Sequence, residues 1–313
     1  MMIQDIFPHR FVNAYQPSAK ADADSYVFYF TEDGLLCSLQ DNEISLPKLS
    51  DFETTDQKAL ADTSSNMPLT YLFSIDGAAY YLLQDVPEKA GEKKPFAPTQ
   101  SEIQNHAAKA EKIELPAGFS FVTVRKLRDL EAGPKHLVFA AVTAQQLYHW
   151  YCNNRFCGRC GSKTVHDTKE RAIRCPSCGN LVYPKIVPAV IVGVLHEDKI
   201  LLTKYRTGFA HFALVAGFTE IGETLEETVS REVMEETGLR VRNIRYYKSQ
   251  PWGIADDILA GFYCDAEGDA SIRMDQNELK YAEWTSRDEV ILQPDDFSLT
   301  NEMMERFKNG EKC

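Results

Sequence analysis

The densest group of potentially reactive side chains is the glutamate-rich segment 217–239, GFTEIGETLEETVSREVMEETGL, which holds seven glutamates and one basic residue, Arg231. Glu232, Glu235 and Glu236 are spaced i, i+3 and i+4, so a helix would place them on one face. Like charges at these spacings repel by roughly 0.2–0.5 kcal/mol per pair. Hard divalent cations take oxygen ligands, so Mg²⁺ or Mn²⁺ is the natural counter-ion. The alternative for a charge run taken alone is a solvated acidic helix face.

Four of the eight cysteines form two pairs with metal-ligand spacing, Cys157-x-x-Cys160 and Cys175-x-x-Cys178, and a glycine follows each pair. Four thiolates suit tetrahedral Zn²⁺, and this spacing is typical of a zinc ribbon. We predict one Zn²⁺ per chain with a structural role, because the protein supplies all four ligands. Four ordinary buried thiols and a redox dithiol are the alternatives. Zinc ribbons often contact nucleic acid, which keeps a binding-module hypothesis open.

The residues around the glutamates predict the elements that position them. Thr224 and Glu227 form a capping box, which begins a helix, and Gly238 is placed to end it. The apolar run IVPAVIVGVL at 186–195 predicts a central strand buried on both faces, with a hairpin partner in HEDKILLTKYR. A short helix is predicted in SLTNEMMERFKNG at 298–310. This mixture indicates a sheet covered by helices.

The preceding part of the chain has a different pattern. Strand-like runs alternate with turns at Asp33-Gly34 and Asp76-Gly77, which are hairpin signals, so we predict an N-terminal β-rich domain over residues 1–124. Within it, the polar segment 87–111 predicts a mobile loop or linker. The run FSFVTVRKL at 119–127 predicts a strand. The remaining predicted parts are a connecting helix (125–154), the zinc ribbon (155–183) and a C-terminal domain (184–313).

The bulk composition restricts the classes of function. The 313 residues carry a formal net charge of −12, with 44% hydrophobic and 26% charged residues, which is typical of a soluble globular protein. This acidity argues against broad, non-specific binding of nucleic acid. We find neither a secretory signal at the start nor a run of about 18 apolar residues. The sequence therefore predicts a cytoplasmic protein without a membrane partner.

The glutamate-rich segment resembles the Nudix box, G-x5-E-x7-R-E-U-x-E-E-x-G-U, where U is aliphatic. All nine fixed positions are matched, by Gly217, Glu223, Arg231, Glu232, Val233, Glu235, Glu236, Gly238 and Leu239. The resemblance implies a Nudix α/β/α sandwich with a mixed sheet, hence an α+β protein overall, and metal-assisted hydrolysis of a nucleoside diphosphate linked to another group. It implies that Glu232 and Glu236 bind the metal and that Glu235 is a ligand or the base. Arg231 would orient a carboxylate, and Glu223 would hold the loop to the helix.

A zinc ribbon directly before a Nudix box is similar to the NADH pyrophosphatase (NAD⁺ diphosphatase) subfamily, and the resemblance extends from about Arg125 to the C-terminus. The sequence SQPW at 249–252 matches the start of the S-Q-P-W-P-F-P-x-S signature of that subfamily, but GIADD follows it here. The carbonyl of Ala216 and the carboxylate of Glu278 are implied as further metal ligands, and Phe218 as a ring that stacks on the substrate. Further substrate contacts are implied for Gln250, Pro251, Trp252, Asp257, Tyr183, Glu170, Arg125 and Ser298. Asp257 would repel a phosphate unless it faces elsewhere.

Some of these residues could also have structural roles without any contact to a substrate. Phe218 and Trp252 could be packed aromatics, and Glu170 and Glu278 could be surface glutamates.

The preferred function is hydrolysis of NAD(H) to nicotinamide mononucleotide and AMP and, by the same chemistry, removal of NAD caps from RNA. The alternatives are hydrolysis of another dinucleotide or a nucleotide sugar, or nucleic-acid binding by a zinc-ribbon protein with an idle Nudix domain. The resemblance also implies a homodimer.

Overall fold

The computed structural model describes residues 2–52, 69–83, 115–208 and 210–313, so the loop predicted at 87–111 lies outside the described residues. The chain divides into two compact units. The N-terminal unit is Phe7–Pro184, and the C-terminal unit combines residues 2–6 with Lys185–Cys313. In the described ranges no helix is long and apolar enough to cross a membrane.

The N-terminal unit contains a seven-stranded sheet in the order β1-β5-β6-β2-β3-β4, with β7 paired to β3. Its strands are β1 (Phe11–Val12), β2 (Tyr26–Thr31), β3 (Gly34–Gln40), β4 (Glu43–Ser45), β5 (Leu69–Ile75), β6 (Ala78–Leu83) and β7 (Ser120–Val122). Both predicted hairpins are confirmed, because Thr31 pairs with Gly34 and Ile75 with Ala78 in antiparallel register. The predicted β-rich domain is thus present.

Two helices follow the sheet, α1 (Val124–Asp129) and α2 (Lys135–Asn153). The strand predicted at 119–127 was wrong in its second half, because only β7 is extended there. The reason is the side chain of Thr123, which accepts a hydrogen bond from the backbone N–H of Lys126 and so begins α1. Arg125 consequently lies on a helix.

The four paired cysteines lie beside a small three-stranded sheet of β8 (Val165–His166), β9 (Ile173–Arg174) and β10 (Leu181–Val182). Their sulfur atoms all lie within 4.8 Å of one another, with 3.7 Å from Cys157 to Cys178 and 3.4 Å from Cys160 to Cys175. Tetrahedral ligands with Zn–S bonds of about 2.3 Å would be roughly 3.8 Å apart. The thiols therefore fit a bound zinc ion, which agrees with the predicted ribbon.

The C-terminal unit is built on a six-stranded mixed sheet in the order β14-β15-β11-β12-β16, with β13 also paired to β11. Its strands are β11 (Val187–His196), β12 (Lys199–Tyr205), β13 (Val215–Phe218), β14 (Arg240–Trp252), β15 (Asp257–Glu267) and β16 (Leu279–Ser286). β11 and β15 run parallel, and the other pairings are antiparallel. The apolar run predicted to be a central strand is β11.

One helix covers each face of this sheet. Alternate residues of β11 point to opposite faces, so Val190 and Val192 pack with Val229 and Val233 of α3 (Leu225–Thr237). The residues between them, such as Ile191, pack with α4 (Leu299–Lys308). This arrangement confirms the predicted α/β/α sandwich.

The first described residues belong to the C-terminal unit, which the sequence analysis did not anticipate. Met2 is buried in the core on the α4 side, and the backbone N–H of Ile3 donates to the carbonyl of Phe297 at 3.0 Å. Gln4 donates to the carbonyl of Ser249 at 3.3 Å. Apolar residues at positions 2, 3 and 6 thus complete a core formed mainly by residues beyond 185.

We expect purified protein to contain one zinc ion per chain and Cys175→Ser to lose it, together with a lower melting temperature, because the ribbon has little apolar core of its own. Elemental analysis and thermal unfolding measure both. Cys313→Ser is the matched control, since Cys313 lies far from the other thiols in sequence and outside their cluster. Full zinc content in the Cys175 variant would contradict a four-thiolate site.

Candidate active site

The glutamate-rich helix α3 is fixed at both ends by local hydrogen bonds. The side chain of Thr224 accepts from the N–H of Glu227 at 3.2 Å, and the carboxylate of Glu227 accepts from the N–H of Thr224 at 2.7 Å. Gly238 ends the helix in the left-handed conformation, with φ of 69°. The predicted capping box and glycine end are both confirmed, so the relative positions of the glutamates are set by a rigid helix.

Arg231 uses all five of its N–H donors inside the segment. Nε and Nη2 bind the two carboxylate oxygens of Glu223 at 2.6 and 2.9 Å. Nη1 donates to Glu232 at 2.7 Å and to Glu235 at 3.0 Å. The fifth bond goes from Nη2 to the backbone carbonyl of Phe218 at 2.9 Å. One guanidinium therefore connects the loop after β13 with two glutamates on α3.

Glu223 is held as an anion by this arrangement. The hydrogen bonds from Arg231 lower the pKa of Glu223 to about 2. The Glu223 carboxylate also accepts from the hydroxyl of Thr228 at 3.0 Å and from the N–H of Glu220 at 3.1 Å. Because every one of these contacts is internal to the loop and helix, the carboxylate of Glu223 acts as a structural bridge between them.

Glu232 lies against a backbone position where any side chain would displace its carboxylate. A Cβ placed on Gly217 would meet the carboxylate carbon of Glu232 at 1.9 Å. Gly217 sits on β13, directly opposite Val190 of β11, on the face of the sheet that α3 covers. The missing side chain therefore leaves the space in which the Glu232 carboxylate approaches the strand.

Glu236 is the most deeply buried carboxylate of the helix, with 2% of its surface exposed. The hydroxyl of Tyr205 donates to its Oε1 at 3.1 Å, whereas its Oε2 has no hydrogen-bond partner among the residues that the structure describes. Burial, together with the charges of Glu232 and Glu278, raises the pKa of Glu236 to about 8. A buried carboxylate oxygen without a partner is unfavourable unless a ligand binds it.

The residues present fit a divalent cation next to Glu236. The donors would be carboxylate oxygens of Glu232, Glu236 and the exposed Glu278, all hard ligands. In the part of the chain that the structure describes, only the cysteines gather three or more ligand atoms within 4.8 Å of one another. The carboxylates are wider apart, with Glu232 drawn to Arg231. The free oxygen of Glu236 and the carboxylate of Glu232 that lies over Gly217 nevertheless form a cradle for a cation.

Glu235 and Ala216 complete the set of metal-site candidates. The side chain of Glu235 is 60% exposed and contacts Arg231, so it can accept a proton from water or bind a cation from the solvent side. Ala216 precedes Gly217 on β13, and its N–H donates to the hydroxyl of Tyr205 at 3.2 Å. Tyr205 thus connects the backbone of β13 with the Glu236 carboxylate.

Tyr205 is a site residue that the sequence analysis did not identify. It is the last residue of β12, and burial raises its pKa, so its hydroxyl stays protonated and can donate to Glu236. The only signal in the sequence is a tyrosine that ends an apolar strand. Nothing in that signal indicates that the hydroxyl faces a helix from a later part of the chain.

Several predicted substrate contacts lie on the opposite face of the sheet. Phe218 pairs with Ala189, and Ala189 pairs with Leu259, so the three side chains share the face that α4 covers. Asp257 lies on that face as well, two residues before Leu259 along β15, and it pairs with Trp252 at the end of β14. Phe218 is 52% exposed and therefore offers a ring surface to a ligand. Pro251 is exposed and points to the other face.

Gln250 and Ser298 are buried, and their polar atoms are already bonded. Gln250 is fully buried: its amide donates to the carbonyl of Phe297 at 2.7 Å and accepts from the N–H of Leu299 at 2.7 Å. Ser298 caps α4 by accepting from the N–H of Asn301. Both side chains thus fix the start of α4, and neither presents a free polar atom to a substrate.

The remaining candidates lie in the N-terminal unit. The hydroxyl of Tyr183 donates to the carboxylate of Glu170 at 2.9 Å, and both side chains are exposed. The two ribbon residues are therefore brought together, 13 positions apart in sequence. Arg125 is exposed on α1 and lines a cavity of about 340 Å³ with residues that include Tyr148 and His149. Their roles in substrate binding stay predictions.

Two family descriptions match the chain. The NUDIX domain matches residues 185–307, and the NADH pyrophosphatase zinc ribbon domain matches residues 153–183. A protein of Photorhabdus laumondii subsp. laumondii named NAD-capped RNA hydrolase NudC is 37% identical over 182 residues, which are 57% of this chain and 70% of that protein. The protein of the same name from Enterobacter sp. is 38% identical over 186 residues, 58% of this chain and 70% of its own length.

The chain belongs to the NADH pyrophosphatase family of Nudix hydrolases. This confirms the resemblance drawn from the Nudix box and the cysteine spacing. A crystal structure of a NUDIX hydrolase from Nitrosomonas europaea is similar over 51% of this chain and 95% of its own, with 22% identity and a TM-score of 0.43. The N-terminal sheet of this Nudix hydrolase lies outside both matched regions.

We expect Gly217→Ala to lose at least about 100-fold in turnover, because the new methyl group would displace Glu232 from its place over β13 and misplace a reacting group. Turnover of dinucleotides and the affinity for Mn²⁺ measure the effect. Combining Gly217→Ala with Glu232→Asp shortens the displaced side chain and should recover part of the Mn²⁺ affinity. Full activity of Gly217→Ala would contradict the proposed packing of Glu232.

We expect Gln250→Leu and Phe218→Leu to have opposite effects. Gln250→Leu leaves the buried N–H of Leu299 unpaired and should destabilise folding by about 1–3 kcal/mol. Phe218→Leu changes a half-exposed ring and should raise KM while leaving the melting temperature nearly unchanged. Denaturant unfolding and steady-state kinetics of both variants separate the roles. A higher KM without lost stability in Gln250→Leu would restore Gln250 as a direct substrate contact.

Proposed function

We propose that this Nudix hydrolase cleaves the pyrophosphate bond of NAD(H), releasing nicotinamide mononucleotide and AMP, and that it removes NAD caps from RNA by the same reaction. The observation that carries the proposal is the buried, unpartnered Oε2 of Glu236 within an intact Nudix glutamate set. The family membership and the adjacent zinc ribbon support NAD(H) as the substrate class. The names of the relatives quoted above support capped RNA.

The reaction adds one water molecule across a phosphoric anhydride. The water oxygen forms a bond to one phosphorus atom, the bridging P–O bond breaks, and each product keeps one phosphate group. A bound Mg²⁺ or Mn²⁺ would screen the phosphate charge and lower the pKa of the attacking water. We assign Glu232, Glu236 and Glu278, with the carbonyl of Ala216, as the residues that would hold this cation. The donor set contains only oxygen, which favours these metals over softer ones.

The other residues of the site orient these groups or move a proton. Arg231 fixes the carboxylates of Glu232 and Glu235 relative to the loop, so that less reorganisation is needed during reaction. The hydroxyl of Tyr205 holds one oxygen of Glu236 and leaves the other free. The exposed carboxylate of Glu235 is the candidate that accepts the proton of water.

Substrate binding is proposed to involve Phe218, which directly follows Gly217 at the end of β13. Phe218 offers a half-exposed ring on which a nicotinamide or adenine ring can stack. Arg125, Glu170 and Tyr183 are proposed as further substrate contacts, and a homodimer is proposed from the family resemblance. We also propose that the protein acts in the cytoplasm, where its substrates and reduced thiols are present.

One set of assays tests the function. Purified protein is incubated with Mg²⁺ or Mn²⁺ and, separately, with NADH, NAD⁺, an NAD-capped RNA, another dinucleotide and a nucleotide sugar, and released AMP is quantified by chromatography. The expected result is AMP from NAD(H) and a 5′-monophosphate end on the RNA. Faster cleavage of the nucleotide sugar would favour the alternative substrate class. Tight RNA binding without AMP from any substrate would favour a binding module.

We expect Glu236→Gln to lose at least about 100-fold in turnover while it keeps the fold, because it removes a charge that the cation requires. Glu226→Gln is the matched control, since Glu226 lies on the exposed first turn of the same helix. AMP release and thermal unfolding are measured for both. An unchanged rate in Glu236→Gln would remove Glu236 from the mechanism.

A further inference from the structure

The zinc ribbon is positively charged within an acidic chain. Residues 153–183 contain six lysines and arginines and two acidic residues, which gives a local net charge of +4 in a chain whose total is −12. Binding of one Zn²⁺ by four thiolates would reduce the local charge to +2, which is still opposite in sign to that of the chain. Because local charge governs a single surface, the ribbon is a place where a polyanion can bind.

The strand register gathers basic and apolar side chains on one face of the ribbon. Phe156 is directly opposite Lys163, and Lys163 is two residues before Val165. Val165 is in turn opposite Arg174 on β9. Directly opposed residues share one face of a sheet, and so do residues two apart along a strand. These four side chains therefore form one surface, which we call the ribbon face.

The ribbon face is the exposed side of this small sheet. Phe156 is 63% exposed, and the side chain of Arg174 is 44% exposed. The opposite side is occupied, because Ile173 is 2% exposed and the ring of His166 lies 4.7 Å from that of Tyr151 on α2. The side that combines an aromatic ring with cations is therefore the side that solvent reaches.

Asp167 does not cancel the charge of the ribbon face. Its carboxylate accepts from Nε and Nη2 of Arg174 at 2.8 and 2.7 Å, which are two of the five N–H donors of that guanidinium. Asp167 itself is buried, whereas Lys163 and Arg174 are exposed. The ion pair thus fixes the direction of the Arg174 side chain while the cationic surface stays accessible.

An exposed ring beside cations fits an unpaired nucleotide chain. Bases of a single strand stack on aromatic side chains, and lysine and arginine contact the phosphates. With strands about 4.8 Å apart and about 3.3 Å per residue, the Cα atoms of Phe156 and Arg174 are roughly 12 Å apart, so a base and a phosphate of one chain can be bound together. A duplex keeps its bases stacked on each other and would not use Phe156.

A second copy of this chain fits the ribbon face less well. A symmetric dimer contact places the same surface on both sides. Lys163 and Arg174 would then oppose the same cations of the other copy, and like charges held together are unfavourable. A nucleotide chain brings phosphates to these side chains instead.

We propose that the ribbon face binds the nucleotide chain of single-stranded RNA, with Phe156 stacked on an unpaired base and with Lys163 and Arg174 on phosphates. The choice of RNA rests on the proposed removal of NAD caps, and the inference adds a surface for the part of the RNA beyond the cap. The ribbon face takes no part in bond breaking. Hydrolysis of free NADH should therefore not depend on it.

The test measures binding of a fluorescein-labelled single-stranded RNA of about ten nucleotides by fluorescence anisotropy over a range of salt concentrations. The RNA has a 5′-hydroxyl end and no cap, so hydrolysis plays no part. Phe156→Ala should weaken binding about tenfold by removing one stacked base, with the salt dependence unchanged. Lys163→Ala should reduce the slope of log K against log salt concentration by about 0.7, the value for one phosphate contact on a single strand.

Tyr246→Ala and Lys199→Ala are the matched controls. Tyr246 is 60% exposed on β14, and Lys199 is exposed at the start of β12, so neither belongs to the ribbon. Both control variants should bind the RNA as the wild type does. Phe156→Tyr keeps an aromatic ring and should retain the affinity. Zinc content verifies that the ribbon is folded, and Lys163→Ala decides the test if Phe156→Ala loses zinc.

The outcomes separate this inference from the proposed function. No binding of the RNA by the wild type, or wild-type affinity and salt slope in both ribbon variants, would overturn the inference even if NADH is hydrolysed. RNA binding that both substitutions weaken, without AMP from NADH or capped RNA, would overturn only the hydrolysis. A smaller species of Phe156→Ala in sedimentation, with unchanged RNA affinity, would mean that the ribbon face joins two copies of the chain and would also overturn the inference.

Discussion

Arg231 is the cation on which the glutamate-rich segment depends. Seven glutamates lie in 23 residues, and the five N–H donors of this one guanidinium are shared among three of them and the carbonyl of Phe218. Lysine could not replace it, because an ammonium has three donors and lacks the planar fork that binds both oxygens of Glu223. The geometry of the loop, and hence the position of Glu232 over Gly217, follows from this contact.

The same contact decides which charges remain for a ligand. Glu223 is fully neutralised, and Glu232 and Glu235 are each bonded to Arg231 through one oxygen. Glu236 accepts a hydrogen bond from the hydroxyl of Tyr205 through its Oε1, and its Oε2 has no hydrogen-bond partner in the described part of the chain. Charge neutralisation thus decreases from Glu223 in the loop, which is paired with Arg231, to Glu236 on α3, whose buried Oε2 has no partner in the described part of the chain. An enzyme that must bind a cation reversibly needs that unsatisfied oxygen.

The sequence predicted those parts of the structure that are specified by short-range chemistry. The capping box at Thr224, the glycine end at Gly238, both hairpins and the cysteine pairs each depend on neighbours within a few positions, and all are present. The Nudix box and the ribbon identified the family for the same reason. The strand predicted through Arg125 failed because a single side chain, Thr123, competes locally for the backbone and begins a helix.

Contacts between distant residues could not be predicted in this way. No local pattern shows that Tyr205 reaches Glu236 or that Gln250 is used to hold the start of α4. The family pattern assigned Gln250 to the substrate, but the sequence contains no information on which way its amide points. Asp257 is a further case, because a surface aspartate and a buried one have the same sequence signature, and only the strand register reveals that it shares a face with Phe218.

The packing of Met2 and Ile3 beside Phe297 means that the C-terminal unit is made from two segments, residues 2–6 and Lys185–Cys313, that are separated in sequence by Phe7–Pro184. The contact between Gln4 and Ser249 spans 245 positions. During synthesis Met2 and Ile3 must therefore wait, unpaired, until Phe297 has left the ribosome, whereas the residues of the N-terminal unit emerge earlier and can fold before then. The unit that contains the glutamate-rich helix is accordingly the last to fold. Removing residues 2–6 with a protease, or blocking them with a fusion partner, would therefore destabilise that unit.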